Sequence, residues 1–214
     1  MGSDTFKLPR EAFVNKFIPK TKFYEKATIS SKLQKEFVDK IQKITWKYKL
    51  AESTVGITKT ATVTEIQIFE IELKEQVIPK KVLQVIDKTI PYQILYWFVF
   101  NDSVAYGITL KENTSVENYY FSNWNEDMLF EFTGIDLERV YQKLVKAFIR
   151  NEAKTKSSFQ EIVDVDKKIK LLENEIVAMA SKISKEKQFN RKVEINKILL
   201  AKKADLEDIK GEVK

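Results

Sequence analysis

The sequence predicts an α+β protein: a five-stranded, mainly antiparallel sheet with flanking helices, followed by a C-terminal helical coiled-coil hairpin. Three observations predict this fold. Segments such as ITWKYKL alternate apolar and polar residues, as half-buried strands do. Segments with helical periodicity separate them. An unbroken apolar heptad seam then runs through the C-terminal part of the chain and predicts paired helices.

The chain begins with a basic, aromatic N-terminal arm, residues 1–27. We expect an irregular arm whose aromatic rings pack on the body of the protein; the alternative is phosphate contact with stacking support. Residues 28–150 form the predicted α+β domain. In the arm, basic and aromatic residues are interleaved: Lys16, Phe17, Lys20, Lys22, Phe23, Tyr24 and Lys26.

The α+β domain opens with a helix and an antiparallel pair of strands. Ser31 and Gln34 fit a capping box, and one helix face carries apolar residues. Strands are predicted at Ile44–Leu50 and from about Thr60 to Lys74. The apolar residues of the helix face are Leu33, Phe37, Val38 and Ile41.

A short helix with Pro79 in its first turn precedes three more strands and a last helix. The strands are Ile94–Phe100, apolar on both faces and therefore central, then Val104–Leu110 and Val116–Phe121. The last helix opens near Asp136. This element order resembles roadblock, longin and profilin-like domains, which mostly serve as binding platforms, although a fold does not fix a function.

Residues 158–214 are predicted to form a coiled-coil arm with two apolar seams. Since the seams are of similar length, we expect an antiparallel hairpin with its bend near residues 185–191; one long helix with a stutter is the alternative. The first seam comprises Ile162, Val165, Ile169, Leu172, Ile176, Met179 and Ile183, and the second Ile195, Leu199, Leu206, Ile209 and Val213, with Lys202 interrupting it once.

The predicted bend is strongly basic and is the candidate site for nucleic-acid contact. It would lie at the end of an arm about 35–40 Å long, from a helical rise of about 1.5 Å per residue. The predicted arm, residues 158–214, is similar to the coiled-coil arm at the end of valyl-tRNA synthetases. A solvated turn is the alternative. Five cations surround one acid, Glu186: Lys182, Lys185, Lys187, Arg191 and Lys192.

Composition excludes several classes of chemistry. The chain contains no cysteine and no histidine, which rules out disulfides, thiolate metal sites and imidazole bases. We expect neither a cofactor nor a metal in the leading interpretation. The net charge of +6, from 37 basic and 31 acidic residues, permits nucleic-acid contact without requiring it.

One segment supports an alternative with catalysis. In a strand at EIQIFEIELK, Glu70, Glu72 and Lys74 share one face. This spacing resembles the Glu-x-Lys element of restriction-type nucleases, in which acids hold Mg²⁺ and the lysine helps to activate water. Those enzymes also need an aspartate on the neighbouring strand; here Glu52 or Asp87 would have to substitute. Alternating charge on the wet face of a strand is the simpler interpretation.

The N-terminal segment MGSDTFKLPREAF lacks the apolar run of a signal peptide, and no stretch approaches 18 uncharged apolar residues. We therefore expect a soluble, cytoplasmic protein without a membrane segment.

Several stretches together resemble one prokaryotic family, domain of unknown function 4391. In order, they are FVNKFIPKTKFYEK, ITWKYKLA, EIQIFEIELK, IDKTIPYQILYWF and KEKQFNRKVEINK. The resemblance implies a small bacterial or archaeal protein with no assigned activity or catalytic residues. Members are often encoded beside helicases and DNA methyltransferases of restriction-like defence systems.

The leading hypothesis is a non-enzymatic accessory protein of such a restriction-like or helicase-associated system. It would assemble through its coiled-coil arm with itself or with a helicase or methyltransferase, and touch nucleic acid through basic surfaces. The seam and the absence of histidine and cysteine motivate it. The Mg²⁺-dependent nuclease is the alternative.

Overall fold

The computed structural model describes residues 6–111, 118–149 and 158–211. The chain divides into two compact units, Met1–Phe148 and Ile149–Lys214, and each is described by itself. The first unit is α+β and the second is helical. Among the described residues, no helix is long and apolar enough to cross a membrane.

The first unit is built on a six-stranded mixed sheet whose spatial order follows the chain, β1 to β6. Neighbouring strands are antiparallel except for β3 and β4, which are parallel. A parallel pair needs a crossover, and helix α4 (Lys80–Thr89) supplies it. The strands are β1 (Phe13–Phe17), β2 (Ile41–Leu50), β3 (Ile66–Leu73), β4 (Gln93–Phe100), β5 (Ser103–Thr109) and β6 (Tyr119–Phe121).

The sheet therefore has one strand more than the five predicted, and it is mixed. The additional strand is β1, which lies in the arm predicted to be irregular. Asn15 has a left-handed backbone (φ 49°), and the β1–β2 register shifts between Phe13 and Lys16. These irregularities remove the alternation by which a strand is recognised in a sequence.

The strand predicted from Thr60 is shorter, because β3 begins only at Ile66. The Thr60 hydroxyl accepts a hydrogen bond from the Val63 N–H at 2.9 Å, and the Thr60 N–H donates to the Val63 carbonyl at 3.0 Å. A local turn thus replaces strand pairing. The β2–β3 pair is antiparallel, as predicted. For the last strand, residues 116 and 117 lie outside the described residues.

The three helices predicted for this unit begin close to their predicted positions, whereas the helix Thr21–Lys26, in the arm expected to be irregular, and the turn Glu52–Val55 were not predicted. Ser30 rather than Ser31 caps the first predicted helix, accepting from the Leu33 N–H, and Asp136 caps the last, accepting from the Arg139 N–H. Pro79 is the N-cap residue of its helix instead of lying in the first turn. The helices are α1 (Thr21–Lys26), α2 (Ser31–Lys40), the single turn α3 (Glu52–Val55), α4 (Lys80–Thr89) and α5 (Leu137–Ala147), and a 3₁₀ turn spans Arg10–Ala12.

Side chains from the sheet and from α1, α2 and α4 form one core cluster, with Phe23, Phe37 and Val82 among its buried members. A second set of aromatic rings surrounds Phe6, which is 2 % exposed. Its ring contacts those of Tyr48, Trp97, Tyr106, Phe130 and Phe132. The aromatic residues of the N-terminal arm thus divide: Phe6 and Phe23 are buried, whereas Phe17 is exposed.

The second unit consists of two helices, α6 (Phe159–Lys185) and α7 (Phe189–Gly211), separated by Glu186–Gln188. Ser158 and Glu161 form a capping box at the start of α6. The break lies within the predicted bend, and the two helices pack against each other.

Candidate nucleic-acid interface

The predicted seams meet between α6 and α7. Ile169, Leu172 and Leu206 are buried and form one apolar cluster, against which Val165, Ile176 and Ile209 pack. Ile162 and Leu199 are also buried, whereas Met179, Ile183 and Ile195 are half-buried. Val213 lies outside the described residues. Supercoiling of the pair stays a prediction.

Ion pairs fix the direction of the two helices. Lys202 Nζ lies 2.6 Å from Glu175 Oε2, and Lys210 Nζ lies 3.7 Å from Glu173 Oε1. Later residues of α7 therefore lie beside earlier residues of α6, so the helices run antiparallel. Lys202, which interrupts the second seam in the sequence, is half-buried and has its carboxylate partner on the facing helix.

Glu186 organises the break between the helices. Its Oε1 accepts hydrogen bonds from the N–H groups of Lys187 at 2.8 Å and Gln188 at 3.0 Å. These two bonds, first the one from Gln188, lower the pKa of Glu186 below its ordinary value of 4.5. The single acid of the bend is thus engaged by the backbone, and no ion pair forms between it and the surrounding cations among the described residues.

The five predicted cations remain available to a ligand. Lys182, Lys185, Lys187 and Arg191 are exposed, and Lys192 is half-buried. Within the described ranges, none of the five takes part in a salt bridge. Because α7 starts here, its free backbone N–H groups add positive potential to that of the side chains.

The bend is also concave. A cleft of about 720 Å³ is lined by the apolar residues Met179, Ile195 and Ile198 and by basic residues that include Lys182, Lys185 and Arg191. Such a surface can follow a phosphodiester backbone with cations while apolar atoms contact sugars or bases.

Phe189 was not among the site residues predicted from the sequence. It is the first residue of α7, and 77 % of its surface is exposed. An aromatic ring with this exposure beside five cations can stack on a base. Its position in the basic segment was visible, but only the structure shows that the ring does not enter the seam.

Glu70, Glu72 and Lys74, the residues of the alternative nuclease site, lie on β3 or directly after it. Glu70 Oε1 accepts from Lys47 Nζ at 3.1 Å, and Glu72 Oε1 accepts from Lys43 Nζ at 3.1 Å. Both lysines belong to the neighbouring strand β2, so the carboxylates form cross-strand ion pairs. Lys74 follows the end of β3 and is exposed.

The two acids suggested as substitutes lie elsewhere in the fold. Glu52 is in α3, and Asp87 is buried in α4, where it accepts hydrogen bonds from Thr109 and Tyr119. In the part of the chain that the structure describes, no three acidic residues come together in a group that could hold a metal ion.

Comparison with known proteins gives one match. A family model described as "Domain of unknown function (DUF4391)" matches residues 6–206, so the family resemblance predicted from the sequence is confirmed. No curated protein matches the chain significantly. No solved structure does so either.

Proposed function

Because the chain belongs to the DUF4391 family, whose description states no activity, we propose a function from the geometry of its own residues. We infer a non-enzymatic accessory protein that contacts nucleic acid through the bend between α6 and α7 and assembles with a protein partner. The observation that carries the proposal is the set of five cations at this bend without a salt bridge among the described residues.

Electrostatics support a phosphate ligand. Each lysine or arginine that neutralises a phosphate releases condensed counterions, which makes binding favourable at low salt and weaker at high salt. Four of the five cations are lysines, which act as point charges towards phosphate and do not distinguish one base from another. We therefore propose binding that depends little on sequence.

Apolar residues on the outside of the same helices support assembly with a protein. Leu171 and Val177 on α6 and Ile198 and Leu200 on α7 are all at least half exposed. Apolar side chains that remain exposed are available to contact a protein partner. As partner we propose a second copy, or a helicase or methyltransferase of a restriction-like system in the cytoplasm.

A salt titration of binding to single-stranded and double-stranded DNA and RNA tests the nucleic-acid contact. The triple variant Lys185→Ala, Lys187→Ala, Arg191→Ala should reduce the slope of log affinity against log salt by about two to three, at roughly 0.7–0.9 per lost phosphate contact. The matched control is Lys32→Ala, Lys35→Ala, Lys81→Ala, which removes three exposed cations from α2 and α4. Equal slopes for both variants would contradict the proposal, as would the absence of binding by the unaltered protein.

The Mg²⁺-dependent nuclease stays a prediction. Glu70 and Glu72 each contact a lysine on β2, which accounts for their presence on this face without a catalytic role. The double variant Glu72→Ala, Lys74→Ala should abolish Mg²⁺-dependent cleavage if the nuclease exists. A preparation that never cuts DNA or RNA ends this alternative.

A further inference from the structure

A cavity of about 240 Å³ lies in the α+β unit, far along the chain from the hairpin bend. Four segments line it: the β1–α1 region, β2, β3, and the end of α4 with the loop that follows. Four of its eleven lining residues are aromatic: Phe23, Trp46, Phe69 and Tyr92. Pockets for drug-sized ligands span roughly 300–1,000 Å³, so this cavity suits a compact ring.

Two amines stand beside this cavity. Lys22 and Lys26 both line it, and they lie on one face of α1 because they are four residues apart. Both are exposed, and neither forms a salt bridge in the described ranges. Two unpaired ammonium groups beside an aromatic cavity can bind a ligand in which a negatively charged group is attached to a flat ring.

Gln67 adds a polar contact within the cavity lining. Its side chain is 6 % exposed, and its Nε2 donates to Glu65, which in turn pairs with Lys49 at 3.1 Å. A carboxylate only accepts, so the Gln67 amide must turn its N–H₂ group towards Glu65. Its Oε1 has no hydrogen-bond donor among the described residues and is not fully buried, so it can accept a hydrogen bond from an N–H group of a ligand.

The C-terminal end of α4 would oppose an anion here, because its last carbonyl groups carry negative potential. Lys111 counteracts this. Its Nζ donates to the carbonyl oxygens of Ile90 at 2.7 Å and Asp87 at 3.3 Å, and to that of Tyr92. The Lys111 ammonium group thus offsets the negative potential of the carbonyl oxygens beside the cavity. The positive potential of Lys22 and Lys26 therefore remains available to an anion.

We propose that this cavity binds a nucleotide, with the base between the aromatic walls, an N–H group of the base donating to Gln67 Oε1, and the phosphate at Lys22 and Lys26. Aromatic walls stack on any base, and a single acceptor favours bases that present an N–H or N–H₂ group. None of the residues that line this cavity belongs to the hairpin bend. It adds small-ligand recognition to a protein for which we propose only macromolecular contacts.

Calorimetric titration with the four ribonucleoside 5′-monophosphates tests the proposal. The protein carries Lys182→Ala, Lys185→Ala, Lys187→Ala, Arg191→Ala and Lys192→Ala, so that no cation of the bend contributes a phosphate contact. At least one monophosphate should bind saturably, and its nucleoside and inorganic phosphate should each bind more weakly. Removing Lys22 and Lys26 together (to Ala) should weaken binding by about tenfold or more, from the strength of charge-assisted hydrogen bonds.

Two controls locate the site. The variant Lys32→Ala, Lys35→Ala removes the same charge from α2 and should bind the nucleotide like its parent. Trp46 lies against the proposed base, so binding should change the tryptophan fluorescence, and Trp46→Phe should remove most of that change. Thermal unfolding of each variant shows whether it remains folded. If Trp46→Phe unfolds, Gln67→Met, which removes the Oε1 acceptor without adding a charge, provides a second variant and should weaken binding.

A tetranucleotide of the preferred base distinguishes the source of the ligand. If the tetranucleotide binds more tightly than the monophosphate, and substitution of Lys22 and Lys26 by alanine weakens its binding, the cavity receives one nucleotide of a strand. If the tetranucleotide binds more weakly, the ligand is a free nucleotide. The proposal is overturned if no monophosphate binds saturably, or if the α1 and α2 lysine variants lose affinity equally. Because the bend is neutralised throughout, these results are independent of the proposed function.

Discussion

At the scale of single residues, the most informative group is the buried carboxylate Asp87. Its Oδ2 accepts a hydrogen bond from Thr109 at 2.9 Å and another from Tyr119. Lys111 Nζ lies 3.6 Å from its Oδ1. Burial raises the pKa of Asp87 above its ordinary 3.8, and the Tyr119 hydrogen bond, the Lys111 charge and the Thr109 hydrogen bond offset only part of this.

This raised pKa predicts how stability depends on pH. Between 3.8 and the higher pKa of the folded state, the folded protein holds a proton that the unfolded chain has lost. The contribution of Asp87 to stability is therefore complete below 3.8 and is lost as pH rises through the folded pKa. Relative to Asp87→Asn, which does not titrate, the unaltered protein should lose free energy of unfolding over this range.

Denaturant unfolding of both proteins at a series of pH values measures the difference. Thr109→Ala removes a hydrogen bond to the carboxylate and should move the loss to higher pH, since that bond lowers the pKa. A stability difference that stays constant with pH would show that Asp87 keeps an ordinary pKa in the fold.

Gly107 on β5 gives a second prediction at the scale of a residue. A Cβ atom there would lie 2.8 Å from Phe121 Cδ1 and 3.0 Å from Phe98 Cε2, closer than carbon atoms pack. Gly107→Ala should therefore destabilise the protein by about 1–3 kcal/mol, the usual cost of overpacking. Gly211→Ala is the matched control, because no atom lies within 4 Å of its added Cβ. Chemical denaturation measures both, and an unchanged Gly107→Ala variant would show that the rings move aside.

At the scale of elements, the sequence predicted what depends on local pattern and missed what depends on pairing. Alternation predicted β2, and the apolar run predicted β4, each with small errors at its ends. The sequence did not predict that β3 and β4 are parallel. A crossover through α4 and a long hairpin connection produce similar apolar patterns in the two strands. Strand β1 pairs only with β2 and has mostly exposed residues, so it carries no periodic signal.

The candidate sites divide in the same way. The five cations of the bend lie close together in the chain, so the sequence alone identifies them as a group. The aromatic cavity combines residues as distant as Lys22 and Tyr92, and their proximity follows from the sheet order alone. The pairing of Glu70 with Lys47 likewise required the β2–β3 register, which a bulge between Trp46 and Tyr48 shifts.

Helix α7 packs one face against α6, and this orientation gives a prediction for the helix. Leu206 is 8 % exposed and packs against α6, whereas Leu200 is 57 % exposed. Leu206→Ala should therefore destabilise the hairpin by about 2–3 kcal/mol, the lower part of the range for buried leucines, and Leu200→Ala should change its stability little. Helical circular dichroism during urea unfolding measures both. A larger effect from Leu200→Ala would mean that the other face of α7 meets α6.

At the scale of the whole molecule, two kinds of surface coexist with a modest net charge of +6. Cations are concentrated at the bend, whereas the acidic side chains of β3 are paired with lysines on β2. The charge that matters for an external ligand is therefore local rather than global. The exposed apolar side chains of α6 and α7, which lie on more than one side of these helices, provide the second kind of surface.

This second surface predicts assembly. If Leu171, Val177, Ile198 and Leu200 bind a protein partner, changing them to serine should abolish that assembly and leave the free energy of unfolding nearly unchanged, because all are at least half exposed. Light scattering after size exclusion detects self-association, and co-purification with proteins encoded beside its gene detects another partner. Leu206→Ala is the contrasting variant, expected to lower stability while keeping these four residues. A protein that stays monomeric at every concentration and recovers no partner would contradict the proposed assembly. The contact at the bend is tested separately by its own titration, since its salt dependence comes from the cations and not from apolar side chains.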